Sequence, residues 1–130
     1  MTSRLLHLAW YWLPLAAYCG LIFYLSSKSD PLPGVSIGDF DKVLHFIEYS
    51  ALGVLSCRAL SMGGTLVCGM RTAVYSALFA TLYGASDELH QWFVPGRSCD
   101  PYDLLTDAIG ATVGASAYFG AFLRHAAPRK

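Results

Sequence analysis

The stretch Asp87–Asp107, DELHQWFVPGRSCDPYDLLTD, gathers five carboxylates, a histidine, a glutamine and an arginine in a chain that is otherwise apolar. Its ends read as helix and its middle as a turn. Asp87 and Gln91 stand at i and i+4, and VPGR fits a type II turn with Pro95 and Gly96 at the central positions. Asp100 followed by Pro101 is an N-cap and first-residue pair that starts a new helix. The stretch therefore joins two helices, and the fold depends on what surrounds them.

Composition answers that question. Of 130 residues, 55% are hydrophobic and 14% charged, against about 25% charged in soluble domains, and the mean hydropathy is +0.43. The length fits one domain, with no internal repeat, low-complexity tract or dividing linker. Cys19, Cys57, Cys68 and Cys99 show neither CxxC nor zinc-like spacing and read as small packing residues. Four segments approach the roughly 20 apolar residues that cross a bilayer, at about 5–25, 41–60, 72–93 and 101–123. The first exceeds the apolar core of a leader peptide and lacks a small-x-small cleavage site after Leu25, so it reads as a retained span. SDPLPG and SMGGT break the chain between spans, and Asp39 is placed to cap a helix beginning near Phe40. Trp10, Tyr11, Trp12, Trp92 and Tyr102 fall where interfacial aromatics belong. Ala80-x-x-x-Gly84 and Gly110-x-x-x-Gly114 are small-residue ridges suited to close helix packing. The expected fold is all-α, a membrane-embedded bundle of four transmembrane helices.

The formal net charge of zero hides a segregation. Four spans put Arg4, Arg58, Arg71, Arg124, Arg129 and Lys130 on one side with no acid. All nine acids lie toward the other side, with Lys28, Lys42 and Arg97. The positive-inside rule then places both termini in the cytoplasm of a bacterial inner membrane and the acidic helix ends outside it. The basic residues flank spans and do not form a patch interleaved with aromatics, which excludes a nucleic-acid partner.

Helical spacing groups the acids. Asp41, His45 and Glu48 share one face of the second segment, with Lys42, His45 and Tyr49 in an adjacent strip. Asp87 and Gln91, beside Glu88, form a strip on the third, and Asp103 and Asp107 one on the fourth, where it runs into Gly110 and Gly114. These strips are expected to converge on one outward-facing cavity. A carboxylate at the centre of a span costs about 2.5–3.5 kcal/mol, so the surplus acids must be protonated, hydrated or bound to a cation; Lys42 and Arg97 can neutralise two. His45, with a reference pKa near neutrality, is the natural general acid or base. Asp87, Glu88 and Asp103 join it as catalytic candidates. Arg97 suits a phosphate or carboxylate through its fork; Lys42, Tyr49 and Gln91 complete the substrate-binding set. Carboxylates with one histidine resemble a hard-cation ligand set, with Asp41, Glu48 and Asp107 as candidate ligands of a divalent cation. No Walker loop, GxSxG elbow, HExxH or dinucleotide fingerprint is present. Membrane lipids are the expected partners. The chemistry points to an anionic headgroup at the outer leaflet, with hydrolysis or phosphoryl transfer as the reaction class; an accessory binding protein and, more remotely, a small oligomeric transporter are the alternatives.

DKVLHFIEYSALG, followed by DELHQWFVPGRSCDPYDLLTDAIGATVGA, resembles the VanZ-like family of small bacterial membrane proteins. The matching positions are Asp41, Lys42, His45, Tyr49, Asp87, Glu88, Gln91, Arg97, Asp103, Gly110 and Gly114. Asp107 departs from the pattern, which usually has Asn there. The family takes its name from a protein associated with resistance to the glycopeptide teicoplanin. The resemblance therefore implies a role in glycopeptide resistance or envelope maintenance, with a lipid-linked cell-wall precursor or a glycopeptide as ligand.

Overall fold

Leu- and Ala-rich runs between the break sequences have high helix propensity, and each forms one helix. The structure, a computed structural model, describes residues 2–30, 40–63 and 69–126. In it α1 spans Thr2–Ser26, α2 Asp41–Met62, α3 Met70–Gln91 and α4 Pro101–Ala126, and no strand occurs among the described residues. Asp39, most of the SDPLPG break, the second half of SMGGT and Cys68 lie outside the described residues. Phe40 occupies the N-cap of α2 without a side-chain capping bond; the first-turn carboxylate of Asp41 faces the positive end of the helix dipole instead.

The core is a tight trio of α2, α3 and α4, with α4 most closely applied to α2. Glycine permits that approach. A Cβ on Gly110 would lie 2.6 Å from the Phe46 carbonyl oxygen. One on Gly114 would overlap the Ser50 carbonyl, and one on Gly53 the Ala111 carbonyl. The ridge on α4 thus packs backbone against backbone, as its spacing led us to expect. Gly84 plays the same part on α3, where a Cβ would meet Asp107 Oδ2 at 2.9 Å and the Tyr49 ring at 3.1 Å.

α1 rests on α2 and, more lightly, on α3. It is fastened by polar side chains at two levels. At the end of α2, His7 Nε2 donates to the Met62 carbonyl (3.0 Å) and Trp12 Nε1 to the Gly63 carbonyl (2.9 Å), serving C-terminal oxygens that the helix leaves unpaired. Nearer the acidic end, the Tyr18 hydroxyl donates to Glu48 O (3.2 Å) and the Tyr83 hydroxyl to Cys19 O (2.6 Å).

The distribution of side chains is inverted relative to a water-soluble bundle. Among the described residues, ten polar or charged residues are buried, as many as hydrophobic ones. Large apolar side chains such as Leu6, Trp10, Leu13, Leu82, Phe93 and Ile109 lie exposed. Two helices, α1 and α2, are long and apolar enough to cross a membrane. α3 and α4 fall short of that apolarity because Ser, Thr, Gly and the terminal carboxylates interrupt them.

Gly114→Leu should lower stability by on the order of 1–3 kcal/mol through overpacking, whereas Gly20→Ala, with nothing within 4 Å of its new Cβ, should raise it by roughly 0.5–1 kcal/mol. Thermal unfolding of the purified protein followed by circular dichroism measures both; equal midpoints would remove the backbone-contact account of α2–α4 packing.

Candidate functional site

The turn after α3 forms as its residues dictate. Arg97 N donates to Val94 O (3.1 Å), and Gly96 at φ +83° takes the position of a type II turn that requires positive φ. Asp100 then caps α4, its Oδ1 accepting from Tyr102 N at 2.8 Å. Its other oxygen accepts from Lys42 Nζ at 2.7 Å, and its backbone N donates to Glu88 Oε2 at 2.8 Å. Lys42 also bonds Asp103 Oδ1. One lysine on α2 therefore clamps the start of α4, while Glu88 on α3 holds the loop leading into it. The Lys42 hydrogen bond, foremost, holds the Asp100 carboxyl below the ordinary carboxylate range.

Beneath this clamp lies a buried polar layer. His45 Nδ1 donates to Asp107 Oδ1 at 2.9 Å, and His45 Nε2 stands 4.0 Å from Asp41 Oδ1. Asp107 is fully buried and Glu88 is 2% exposed. Glu88 Oε1, Asp107 Oδ2 and the Tyr49 hydroxyl have no hydrogen-bond partner. The Tyr49 ring runs parallel to that of His45 at 6.4 Å between centroids.

A second polar group faces a cavity of about 270 Å³. Its polar lining is Asp41, His45 and Glu48 from α2, Asp87 and Gln91 from α3, and Arg97 from the loop. Its apolar lining includes Leu21, Ile22 and Leu25 of α1 and Leu44 and Ile47 of α2. Gln91 links its neighbours, its Nε2 donating to Asp87 Oδ2 (2.9 Å) and its Oε1 accepting from Arg97 Nε (3.2 Å) and Nη2 (2.8 Å).

The sequence-based residues thus divide in a way that spacing alone does not predict. Asp41, His45, Glu48, Asp87, Gln91 and Arg97 reach the cavity; Lys42, Tyr49, Glu88, Asp103 and Asp107 do not line it. His45 belongs to both groups. α1, which carries no charged residue after Arg4, supplies a wall, while α4 supplies none. Lys42 neutralises acids as expected, but Arg97 binds an amide oxygen and forms no carboxylate pair among the described residues. Of the acids assigned to a cation, Asp41 and Asp107 fall in different groups of closely spaced ligand atoms, Asp41–His45–Asp103 and His45–Glu88–Asp107, and Glu48 joins neither. Tyr18 and Ser26 also line the cavity; no pattern in the sequence distinguishes them from other residues of a span.

These features define a small all-α protein with a buried acidic cluster and an adjoining half-apolar cavity at one end of its bundle. The sequence model of the VanZ/LLP1 family matches residues 4–124, nearly the whole chain, and the protein belongs to that family. No curated protein and no solved structure matches it.

Asp100→Ala removes both the cap and the Lys42 partner and should destabilise more than Asp100→Asn, which retains a capping oxygen. Because the folded-state pKa of Asp100 is depressed, its charge-dependent stabilisation is present above the unfolded value of about 3.9 and is lost as pH falls through the folded value. The difference in melting temperature between wild type and Asp100→Asn should shrink as pH is lowered below about 4. A constant difference across that range would exclude the ion pair as its source.

Proposed function

We propose that the chain is a four-span integral protein of the bacterial cytoplasmic membrane, with both termini inside and an extracytoplasmic pocket for an anionic envelope lipid or lipid-linked precursor. Family membership, two helices of span length and the apolar exterior support the membrane setting, since apolar exposure on this scale is unfavourable in water. The segregation of bases from acids supports the orientation.

The lining of the cavity carries the ligand class. Leu21, Ile22 and Leu25 offer a surface for hydrocarbon, and Arg97 lines the same space. An amphipathic molecule with a phosphate or carboxylate head matches both halves. Gln91, not a carboxylate, holds the Arg97 guanidinium, so its remaining N–H groups are available to an anion. Asp41, Glu48 and Asp87 around the cavity favour a headgroup that brings an amine or a metal cation beside its anion. His45 lines the same space, so proton transfer at a bound headgroup falls to it, giving a hydrolase or phosphoryl-transfer reading on a lipid-linked substrate. A non-catalytic accessory protein that holds the lipid or a glycopeptide uses the same pocket without turnover.

Native mass spectrometry of the protein loaded with phosphatidylglycerol or with diacylglycerol tests the ligand class. Wild type should retain the phospholipid preferentially, and Arg97→Ala should lose that preference. Equal retention of the two lipids by wild type would eliminate anion recognition. Orientation is tested at Cys99, which is exposed: a membrane-impermeant thiol reagent should label it in intact cells. Labelling only after lysis would reverse the topology.

A further inference from the structure

In the buried polar layer, one ligand atom each from His45, Glu88 and Asp107 lie within 4.8 Å of one another, and all three residues are buried. Each comes from a different helix of the packed trio, so the backbone fixes their relative positions. We infer that His45, Glu88 and Asp107 form a binding site for a divalent metal ion of the Zn²⁺ or Mn²⁺ kind.

Closeness of acids alone would not carry this. The independent observation is unmet bonding capacity: Glu88 Oε1 and Asp107 Oδ2 are buried with no hydrogen-bond partner, on side chains 2% and 0% exposed. A carboxylate oxygen left this way forfeits its solvation without replacement, at about 1–3 kcal/mol or more for a charged group. The neighbouring acids are provided for. Asp103 and Asp100 share the Lys42 ammonium, and Asp87 accepts from Gln91. The other close trio, Asp41–His45–Asp103, already holds that ammonium at Asp103. Glu88 Oε2 accepts from Asp100 N and Asp107 Oδ1 from His45, but among the described residues no lysine or arginine pairs with either acid.

Geometry and donor type fit an ion. His45 Nδ1 and Asp107 Oδ1 are 2.9 Å apart, close to the roughly 3.0 Å edge of an octahedral site and about half an ångström short of the roughly 3.4 Å edge of a tetrahedral one, for ligands bonded at about 2.1 Å. An ion taking both would replace their hydrogen bond, with Nδ1 deprotonated; Asp41 Oδ1 stands 4.0 Å from His45 Nε2, beyond hydrogen-bond distance, and would have to close on it to become the carboxylate partner that metal-binding imidazoles usually have. One imidazole with two carboxylates favours Zn²⁺ or Mn²⁺ over Ca²⁺, which takes six to eight oxygens. This site stands independently of the lipid-binding reading, which rests on the cavity and Arg97.

The test uses the full chain purified in detergent, stripped with a chelator and equilibrated with Zn²⁺ or Mn²⁺. Elemental analysis after removal of free metal should find about one ion per chain, and the ion should raise the melting temperature. Glu88→Gln and Asp107→Asn should each weaken binding by at least about tenfold, the lower bound for losing even an outer partner of a ligand. Asp103→Asn should bind as wild type does. Absence of tightly held metal in folded wild type would overturn the site. So would undiminished binding by Glu88→Gln and Asp107→Asn. Should either variant not fold, wild-type stoichiometry and Asp103→Asn decide the matter. A wild type that binds no metal and is stabilised by Glu88→Gln would identify the pair as a proton-sharing structural contact.

Discussion

The approach of α4 to α2 across Gly53, Gly110 and Gly114 is the constraint from which the polar layer follows. A Cβ at Gly110 or Gly114 would meet carbonyl groups of α2, so any other residue there would push the helices apart by something near the size of a methyl group. Asp107 stands one turn before Gly110, and His45 immediately precedes Phe46, whose carbonyl Gly110 approaches. Their 2.9 Å hydrogen bond spans the gap that the glycines close. Gly84 extends the same logic to α3, admitting Asp107 and Tyr49 beside its own backbone. Small residues here have no chemistry of their own; they set the distances at which polar atoms meet.

Separation of two polar compartments is the second consequence. With α4 pressed into α2 and α3, its carboxylates do not line the cavity, and Lys42 bonds Asp100 and Asp103 at the start of α4. α1 meets the trio through Leu15 and Ile22, which join its buried core, and through side-chain hydrogen bonds at two levels, and it lines a cavity with α2 and α3. The cavity is therefore half apolar by construction: one wall is the outer face of a polar trio, the other the side of an apolar helix. His45 alone among the cavity residues also reaches the buried layer through Asp107, so whatever happens to charge in that layer is felt at the cavity through one imidazole.

Much of the architecture was legible in the residue pattern. Helix positions follow from apolar runs and their breaks; the type II turn follows from Pro95–Gly96, and the start of α4 from Asp100–Pro101. Each of these is decided locally, by backbone preferences of a few residues. Helical periodicity also assigned the acids to faces. What it could not decide was which faces meet, because the tilt and rotation of a helix depend on its neighbours. Leu21, Ile22 and Leu25 look like any residues of an apolar span, so nothing marked α1 as a wall of the cavity. Arg97 illustrates the same boundary. Its charge implied a carboxylate partner, but the turn at Gly96 delivers its guanidinium to Gln91.

Asp107 is the point at which local identity and packing bear on each other most directly. Its Oδ1 accepts from His45, a role that an asparagine would fill equally well. The other terminal atom makes the difference. An asparagine nitrogen would bring a donor into a layer where Glu88 Oε1 lacks one. The carboxylate of this chain brings a second acceptor instead, and its Oδ2 is also without a partner. Asp107 Oδ2 packs against Gly84, where an added Cβ would stand 2.9 Å from it, and a cation, a proton or the Tyr49 hydroxyl, itself unpartnered, would satisfy it. An acid in place of an amide at this one position thus adds a buried acceptor that is complete only with a cation, a proton or a further donor.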